Sequence, residues 1–277
     1  MFQYAAGRSL SLQVGTRLYL DTTDYESCSG RAYALEVFRI SAKPLAGWQG
    51  ICGRQLRRKR YKCLTSLLQA LHVPIAFRYL DDAEDRYRAK VTKTGCIAYL
   101  DGYWQHESYF SGIRGVLLRD FAFKESPDDE NRTMLARIIS ENAVCTHVRR
   151  GDYTTPNGRA FHGVCEVSYY NEAIRHIQER VSNPHFFVFS DDPQWVVSNL
   201  PGVERMTIVT HNCGGSATED LRLMMNCRHF IIANSSFSWW AAWLANAADK
   251  IVVAPKQWYA SPVKRDDDPA LEGWTRL

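Results

Sequence analysis

Strand-sized apolar runs alternate with helical patterns through the second half of the chain, and this alternation limits the fold more than any other feature. The runs occupy residues 143–148, 185–190, 206–210, 229–233 and 250–254. Between most of them, apolar residues recur at helical spacing, as they do from Tyr170 to Val181. Strands that are apolar throughout are typical of parallel sheets whose two faces are covered by helices. The sequence therefore predicts an α/β protein with a nucleotide-binding type of architecture.

The first half of the chain shows fewer clear elements. Leu18–Asp21 and Cys96–Gly102 each look like a strand that meets a turn, and 113–141 looks like a long helical connector broken near Pro127. A chain of 277 residues exceeds one average domain, so we place a domain boundary in this connector. The predicted divisions are two domains, 1–140 and 141–262, and a C-terminal tail, 263–277.

Two adjacent arginines follow the first apolar run. Arg149 and Arg150 lie in the sequence His-Val-Arg-Arg-Gly-Asp-Tyr of residues 147–153. Charge at the end of a buried strand costs desolvation unless an anion meets it, and ligands of open α/β sheets bind beyond these strand ends. Gly151 lets the backbone turn sharply, and Asp152 can orient a guanidinium through a bidentate hydrogen bond. The motif predicts an anion site, with an internal Arg–Asp ion pair as the alternative.

A pair of aspartates ends the second apolar run. Asp191 and Asp192 precede Pro193, and proline is typical of the first position of a helix. We expect one aspartate to cap that helix and the other to meet a ligand. Because adjacent strand residues point to opposite faces, one metal ion would rarely contact both carboxylates.

Two serines begin an aromatic-rich helix after the run at 229–233. Ser235 and Ser236 follow Asn234 and precede the sequence Phe-Ser-Trp-Trp. Free backbone N–H groups at a helix start, with hydroxyls beside them, bind phosphate readily. The serines are therefore predicted either to contact a phosphate or to cap the helix.

Composition excludes several functional classes. The net charge of +4, from 34 basic and 30 acidic residues, suits an anionic ligand but is too small to indicate nucleic acid binding. The eight cysteines show no metal-binding spacing, so we expect no metal cofactor and buried free thiols. No apolar stretch approaches the ~18 residues of a membrane span, and no secretory signal is evident, which predicts a cytoplasmic protein.

A basic run lies within residues 54–62, where six of nine residues are Lys or Arg. Such a run is typical of a solvated helix face. The alternative is contact with an anionic lipid carrier or with the inner face of a membrane. That second interpretation predicts peripheral membrane association of an otherwise cytoplasmic protein.

Together, these segments resemble the motif series of the bacterial α-1,2-fucosyltransferases. The Asn-Ser-Ser-Phe-Ser-Trp-Trp run narrows the match to the α-1,2 branch, since the wider superfamily shares only the His-x-Arg-Arg element. The matching segments, in order along the chain, are residues 1–7, 147–153, 161–165, 169–170, 189–192, 219–221, 231–244 and 253–255 with Trp258.

The resemblance implies a GT-B fold, in which two Rossmann-like domains face each other across a cleft. The domain of residues 1–140 would bind the acceptor, and that of 141–262 would bind GDP-fucose. The implied reaction is an inverting, metal-independent transfer of L-fucose from GDP-β-L-fucose to O2 of a terminal galactose on an oligosaccharide or lipid-linked glycan. Family members usually begin with a strand and a Gly-Gly-Leu-Gly-Asn-Gln loop before the segment that starts here at Met1. The chain is therefore expected to be truncated and to lack the first strand of its N-terminal domain.

The resemblance also assigns roles to single residues. Arg149 and Asp152 are the predicted catalytic residues: Arg149 would bind the β-phosphate and stabilise the departing GDP, with Arg150 and Asp152 supporting it. The other donor contacts would be made by His147 and Asp192 at the nucleoside and by Ser235 and Ser236 at the pyrophosphate.

An inverting displacement also requires a base near the acceptor hydroxyl. Neither the residues nor the resemblance selects it, and the candidates are Asp152, His162 and Glu166. Two other functions are alternatives: a catalytically impaired protein that binds a nucleotide sugar, and a fucosyltransferase of another linkage, 1,6 or peptide-O.

Overall fold

The computed structural model describes residues 1–23, 25, 32–45, 77–81, 97–200, 203–212, 217–260 and 268–277, with the backbone alone for 77–81 and 97. These residues form two units, Met1–Lys124 and Glu125–Leu277. The basic run at 54–62 lies outside the described residues, so its membrane interpretation stays a prediction. Within the described ranges, no helix has both the length and the apolar character needed to cross a membrane.

In the described part of the first unit, two pairs of short parallel strands lie between two helices along the chain. Helix α1 spans Phe2–Val14 and helix α2 spans Arg114–Asp120. Strand β1 (Tyr19–Leu20) pairs with β2 (Lys43–Pro44), and β3 (Phe77–Asp81) pairs with β4 (Ile97–Asp101). Short 3-10 turns lie at Leu35–Val37, Glu107–Tyr109 and Ser111–Ile113. Strands β1 and β4 confirm the two strands predicted in this half of the chain.

A six-stranded parallel sheet forms the centre of the second unit. Its strands are β5 (Ala143–Val148), β6 (His185–Ser190), β7 (Met206–Val209), β8 (His229–Ile231), β9 (Val252–Ala254) and β10 (Thr275–Arg276). They lie in the order β10-β9-β8-β5-β6-β7, and every neighbouring pair is parallel. All of β5 and nearly all of β6 are buried, which confirms the sheet predicted from the apolar runs.

Helices cover this sheet, as the alternating pattern predicted. One face of α5, which carries Tyr170, Ala173 and Ile177 at helical spacing, packs into a common apolar core with Val144 and Val188 of the sheet. The helices are α3 (Asp129–Ser140), α4 (Pro156–Phe161), α5 (Val167–Gln178), α6 (Pro193–Asn199), α7 (Ala217–Met224) and α8 (Ser236–Leu244), with a 3-10 turn at Gly151–Thr154.

The boundary between the units lies earlier than the sequence-based boundary at residue 140. Helices α2 and α3 flank Pro127, as expected for the broken connector, but α3 belongs to the second unit. There the side chain of Asn131 donates a hydrogen bond of 3.0 Å to Asn212, a contact that sequence periodicity cannot reveal. The predicted tail 263–277 is likewise part of this unit, because β10 pairs with β9 at the edge of the sheet.

Tyr169 connects helix α5 to the strands beneath it. Its buried hydroxyl donates to the carbonyl oxygens of Ile232, at 2.6 Å, and Val253, at 3.2 Å. Burial raises the pKa of this phenol well above its usual value, so the hydroxyl stays protonated and remains a donor. It therefore joins the chain after β8 to β9 through one side chain.

We expect Tyr169→Phe to lower the free energy of unfolding by about 1–3 kcal/mol, because the buried carbonyl of Ile232 loses this donor, whereas that of Val253 still accepts the N–H of Ile232. Urea denaturation followed by circular dichroism measures the loss. Tyr103→Phe is the control, because Tyr103 is 73% exposed. Equal stability of the two variants would contradict the expectation.

Candidate active site

The candidate site lies where the strand order of the sheet reverses. From β5 the chain continues through β6 and β7 on one side and then returns to β8 on the other side of β5. Open α/β sheets bind ligands outside the carboxyl ends of strands at such a switch point. Arg149 directly follows β5, Asp191 directly follows β6, and Ser235 lies four residues beyond the end of β8. The structure thus gathers the three polar clusters singled out in the sequence at one edge of the sheet.

Two carboxylates hold the guanidinium of Arg149. Nη2 donates to Oδ1 of Asp152 at 2.6 Å, and Nη1 lies 2.8 Å from Oδ2 of Asp191. The predicted bidentate contact with Asp152 is therefore wrong, since each carboxylate meets a different terminal nitrogen. The Arg149 side chain remains 30% exposed, so the oriented charge is accessible at the sheet edge.

The two adjacent aspartates have different tasks. Asp192 caps α6 by accepting a hydrogen bond of 3.1 Å from the backbone N–H of Trp195, and its Oδ2 lies 3.5 Å from Nε of Arg150. Asp191 accepts the backbone N–H of Arg150 at 2.8 Å in addition to its contact with Arg149. One aspartate caps the helix, as predicted, but it is Asp192, the residue that was expected to contact the donor.

Asp191 is the site residue that the sequence analysis did not select. The sequence does show a pair of aspartates at the end of an apolar run, but not which of the two meets the arginine. Which member meets the arginine depends on the residue at which β6 ends and α6 begins. That boundary lies between Ser190 and Pro193, within the uncertainty of a sequence-based assignment.

Two glycines lie where segments of the site approach each other closely. A Cβ atom on Gly151 would lie 2.5 Å from Oδ2 of Asp191, and one on Gly158 would lie 2.0 Å from the backbone oxygen of Asp152. The backbone turns here, as predicted, because Gly151 begins the 3-10 turn Gly151–Thr154, although its φ is not positive. A larger residue at this position would have to displace the carboxylate of Asp191.

His147 lies beneath this loop as a buried, neutral imidazole. Its Nδ1 is 2.9 Å from the hydroxyl oxygen of Ser238 in helix α8. Burial and, to a lesser extent, the charge of Arg149 lower the pKa of His147 to about 3. At neutral pH the fixed positive charge at this strand end therefore comes from the arginines and not from the histidine.

Arg150 is anchored away from Arg149. Its guanidinium carbon lies 4.4 Å from the centroid of the Trp195 ring, within the range of a cation–π interaction. Together with the ion pair to Asp192, this contact places Arg150 against α6. Neither contact involves Arg149, so the supporting role of Arg150 stays a prediction.

The two serines of helix α8 differ in their surroundings. Ser235 is buried and caps the helix, and its Oγ accepts the backbone N–H of Phe237 at 3.3 Å. Ser236 is exposed at the first position of the helix. The capping alternative is confirmed for Ser235, while the phosphate contacts of both residues stay predictions.

Tyr153 joins Arg149 to one of the candidate bases. The guanidinium carbon of Arg149 lies 5.4 Å from the Tyr153 ring centroid, and the His162 ring stacks on that ring at 4.2 Å with an interplanar angle of 3°. Glu166, in contrast, is exposed at the start of α5, and its side chain does not cap that helix. The structure brings His162, but not Glu166, into the group of residues around Arg149.

Asn234 holds these loops in register. Its side chain is buried, and Nδ2 donates to the backbone oxygens of His162, at 2.7 Å, and Trp258, at 3.2 Å. Its own backbone oxygen accepts the hydroxyl of Tyr153 at 3.3 Å. The sequence shows Asn234 only as a neighbour of the serines, because contacts this distant along the chain leave no local pattern.

Proteins of known name are similar to this chain in sequence. A match to the model of Glycosyl transferase family 11 covers residues 64–277. An alpha-1,2-colitosyltransferase of Escherichia coli is 30% identical, over 100% of this chain and 94% of its own length. The O-antigen biosynthesis glycosyltransferase WbnK of the same species is 31% identical over 100% and 96%. The galactoside 2-alpha-L-fucosyltransferase Sec1 of Mus musculus is 27% identical over 63% and 49%.

The fold is also that of a fucosyltransferase of known structure. The crystal structure of the NodZ alpha-1,6-fucosyltransferase soaked with GDP-fucose superposes with a TM-score of 0.51, over 88% of this chain and 87% of that one, at 17% identity. The likeness shows a GT-B fold, which the sequence analysis expected. The family match and the relatives that align over the whole chain establish that this chain is a glycosyltransferase and belongs to Glycosyl transferase family 11.

Proposed function

We propose that this chain transfers L-fucose from GDP-β-L-fucose to O2 of a terminal galactose with inversion, giving an α-1,2 linkage. The observation that carries the proposal is the oriented, accessible guanidinium of Arg149 at the switch point of a parallel sheet. A sugar nucleotide needs a fixed positive charge there to bind its pyrophosphate. The names of the colitosyl and fucosyl relatives support both the α-1,2 linkage and a donor sugar of this type.

Arg149 would act on the leaving group. As the bond between C1 of fucose and the β-phosphate oxygen breaks, negative charge develops on GDP, and a guanidinium already in place stabilises it without reorganisation. Ser236 and the N-terminus of α8 would contact the pyrophosphate, with Ser235 as the cap that defines that terminus. His147 and Asp192 would border the nucleoside, where a neutral imidazole can form a hydrogen bond.

His162 is the base that the geometry favours. In the inverting step, O2 of galactose attacks C1 from the side opposite the phosphate, and its proton passes to the base. Asp152 is engaged by Arg149, and Glu166 lies exposed at the start of α5. The His162 ring is fixed by its stacking on Tyr153, which also contacts Arg149.

A second donor, colitose, is the alternative that a specific observation favours, because a colitosyltransferase matches this chain over its full length. GDP-fucose and GDP-colitose differ in one sugar hydroxyl, so they can be compared directly.

The enzyme is incubated with each donor and a panel of free and lipid-linked galactosides, and the linkage of the product is determined. We expect α-1,2-fucosylated product. GDP binding without any product would indicate an impaired binding protein, and a 1,6 linkage would contradict the proposal.

We expect Arg149→Ala to abolish transfer in practice while the protein stays folded, since losing the leaving-group contact raises the barrier by on the order of 3 kcal/mol or more, which lowers the rate by about a hundredfold or more. Arg149→Lys should also fail, because an ammonium cannot contact both carboxylates and the phosphate in the same geometry. Initial rates and melting temperatures are measured for both. Arg132→Ala is the control, because Arg132 lies in α3 and its described ion pair is with Asp129 of the same helix. Near-normal kcat in Arg149→Ala would refute the assignment.

We expect Gly158→Ala to reduce both stability and transfer. The added methyl group would meet the backbone of Asp152 at 2.0 Å, so the turn that carries this carboxylate must move. Overpacking of this kind costs about 1–3 kcal/mol. Gly273→Ala is the matched control, since its Cβ would have no atom within 4 Å. Equal melting temperatures and rates in the two variants would show that the turn tolerates displacement.

We expect activity without a divalent metal. Among the described residues no group of three or more His, Cys, Asp and Glu side chains could hold a metal ion, and Arg149 with the α8 N-terminus can neutralise a pyrophosphate. Rates are measured in EDTA and with added Mg²⁺ or Mn²⁺. Complete loss in EDTA, restored by either ion, would instead make Asp191 and Asp192 metal ligands.

A further inference from the structure

An exposed aromatic side chain lies beside the candidate base. Phe161, the last residue of α4, is 63% exposed. Its ring meets His162 at 4.8 Å and 85°, and it meets Tyr259 at 5.7 Å and 69°. Single exposed apolar residues are common on protein surfaces, so exposure by itself carries no function. The surroundings of Phe161 are what distinguish it.

A continuous series of contacts connects Phe161 to the reaction centre. Arg149 lies over the ring of Tyr153, Tyr153 stacks on His162, and His162 meets Phe161 edge to face. The exposed ring is therefore separated by only two side chains from the guanidinium proposed to bind the leaving phosphate. A sugar that rests on it would lie next to His162.

The backbone beneath these rings is fixed. Ala260 donates its N–H to the carbonyl oxygen of Phe161 at 3.1 Å. The buried amide of Asn234 donates to the carbonyl oxygens of the residues next to both rings, His162 and Trp258. Phe161 and Tyr259 are thus held on two joined segments, and a ligand that binds them has little backbone to order.

We propose that Phe161 and Tyr259 form an acceptor subsite, here called the aromatic platform, that binds the apolar face of a galactoside. The C–H bonds on one face of a galactose ring carry partial positive charge, which the negative face of an aromatic ring attracts. The platform rests on the proposed function and adds to it the surface that holds the acceptor. It would place the sugar hydroxyls beside the candidate base.

The test separates acceptor kinetics from donor kinetics. For Phe161→Ala, with methyl β-D-galactoside as acceptor, we expect KM for the acceptor to rise about five- to tenfold. KM for GDP-fucose and the hydrolysis of GDP-fucose without acceptor should change by less than about twofold, because the donor contacts are intact. Phe161→Tyr should retain the wild-type acceptor KM. Ile139→Ala is the control and should leave all constants unchanged. Ile139 is 65% exposed and is the residue before the last of α3, which leads into the amino end of β5, whereas the site lies beyond its carboxyl end.

Two outcomes for Phe161→Ala would overturn the platform while the proposed function stands. One is an unchanged KM for the acceptor, and the other is an increase of KM for the donor as well as for the acceptor. Wild-type protein that transfers no sugar would refute the proposed function instead. In that case saturation-transfer NMR with methyl β-D-galactoside tests the platform directly. Weaker binding by Phe161→Ala than by the wild type would support it, and equal binding would overturn it.

Discussion

The contacts of Arg149 with Asp152 and Asp191 are the interaction on which the rest of the site depends. A charge at the end of a buried strand needs compensation, and here it comes from two carboxylates on different loops. Gly151 lacks a side chain where the loop after β5 approaches Asp191, and Gly158 lacks one where α4 approaches the backbone of Asp152. A guanidinium has five N–H donors, so contacts with two carboxylates leave donors for phosphate oxygens. The two carboxylates thus orient the guanidinium of Arg149 and leave some of its N–H groups available to a ligand.

Tyr153 connects Arg149 to the aromatic residues of the site. Its ring contacts Arg149 and His162, and its hydroxyl is fixed on the backbone of Asn234. Asn234 in turn binds the chain at His162 and Trp258. The loops after β5, β8 and β9 are therefore positioned together. A change at one of them is expected to disturb both the leaving-group contact and the candidate base.

The sheet and the location of the site could be predicted because both depend on local patterns. Apolar runs mark buried strands, and the carboxyl ends of parallel strands share one edge, so Arg149, Asp191 and Ser235 had to lie near one another. Local patterns could not decide which of Asp191 and Asp192 meets a ligand, since a shift of one residue determines which carboxylate caps α6. The roles of Asn234 and Gly151 depend on contacts between distant segments, and α3 joined the second unit for the same reason.

The charges of the site also restrict its chemistry. Burial keeps His147 neutral, so Arg149 supplies the oriented positive charge at the end of β5. Asp152 accepts a hydrogen bond from that arginine. If Asp152 were the base, its protonation would weaken this contact while the leaving group departs. A base on the far side of Tyr153 avoids this conflict, because proton uptake there leaves the contacts of Arg149 intact. In the proposed mechanism His162 is such a base: it stacks on Tyr153, so leaving-group stabilisation and acceptor activation would fall to different side chains.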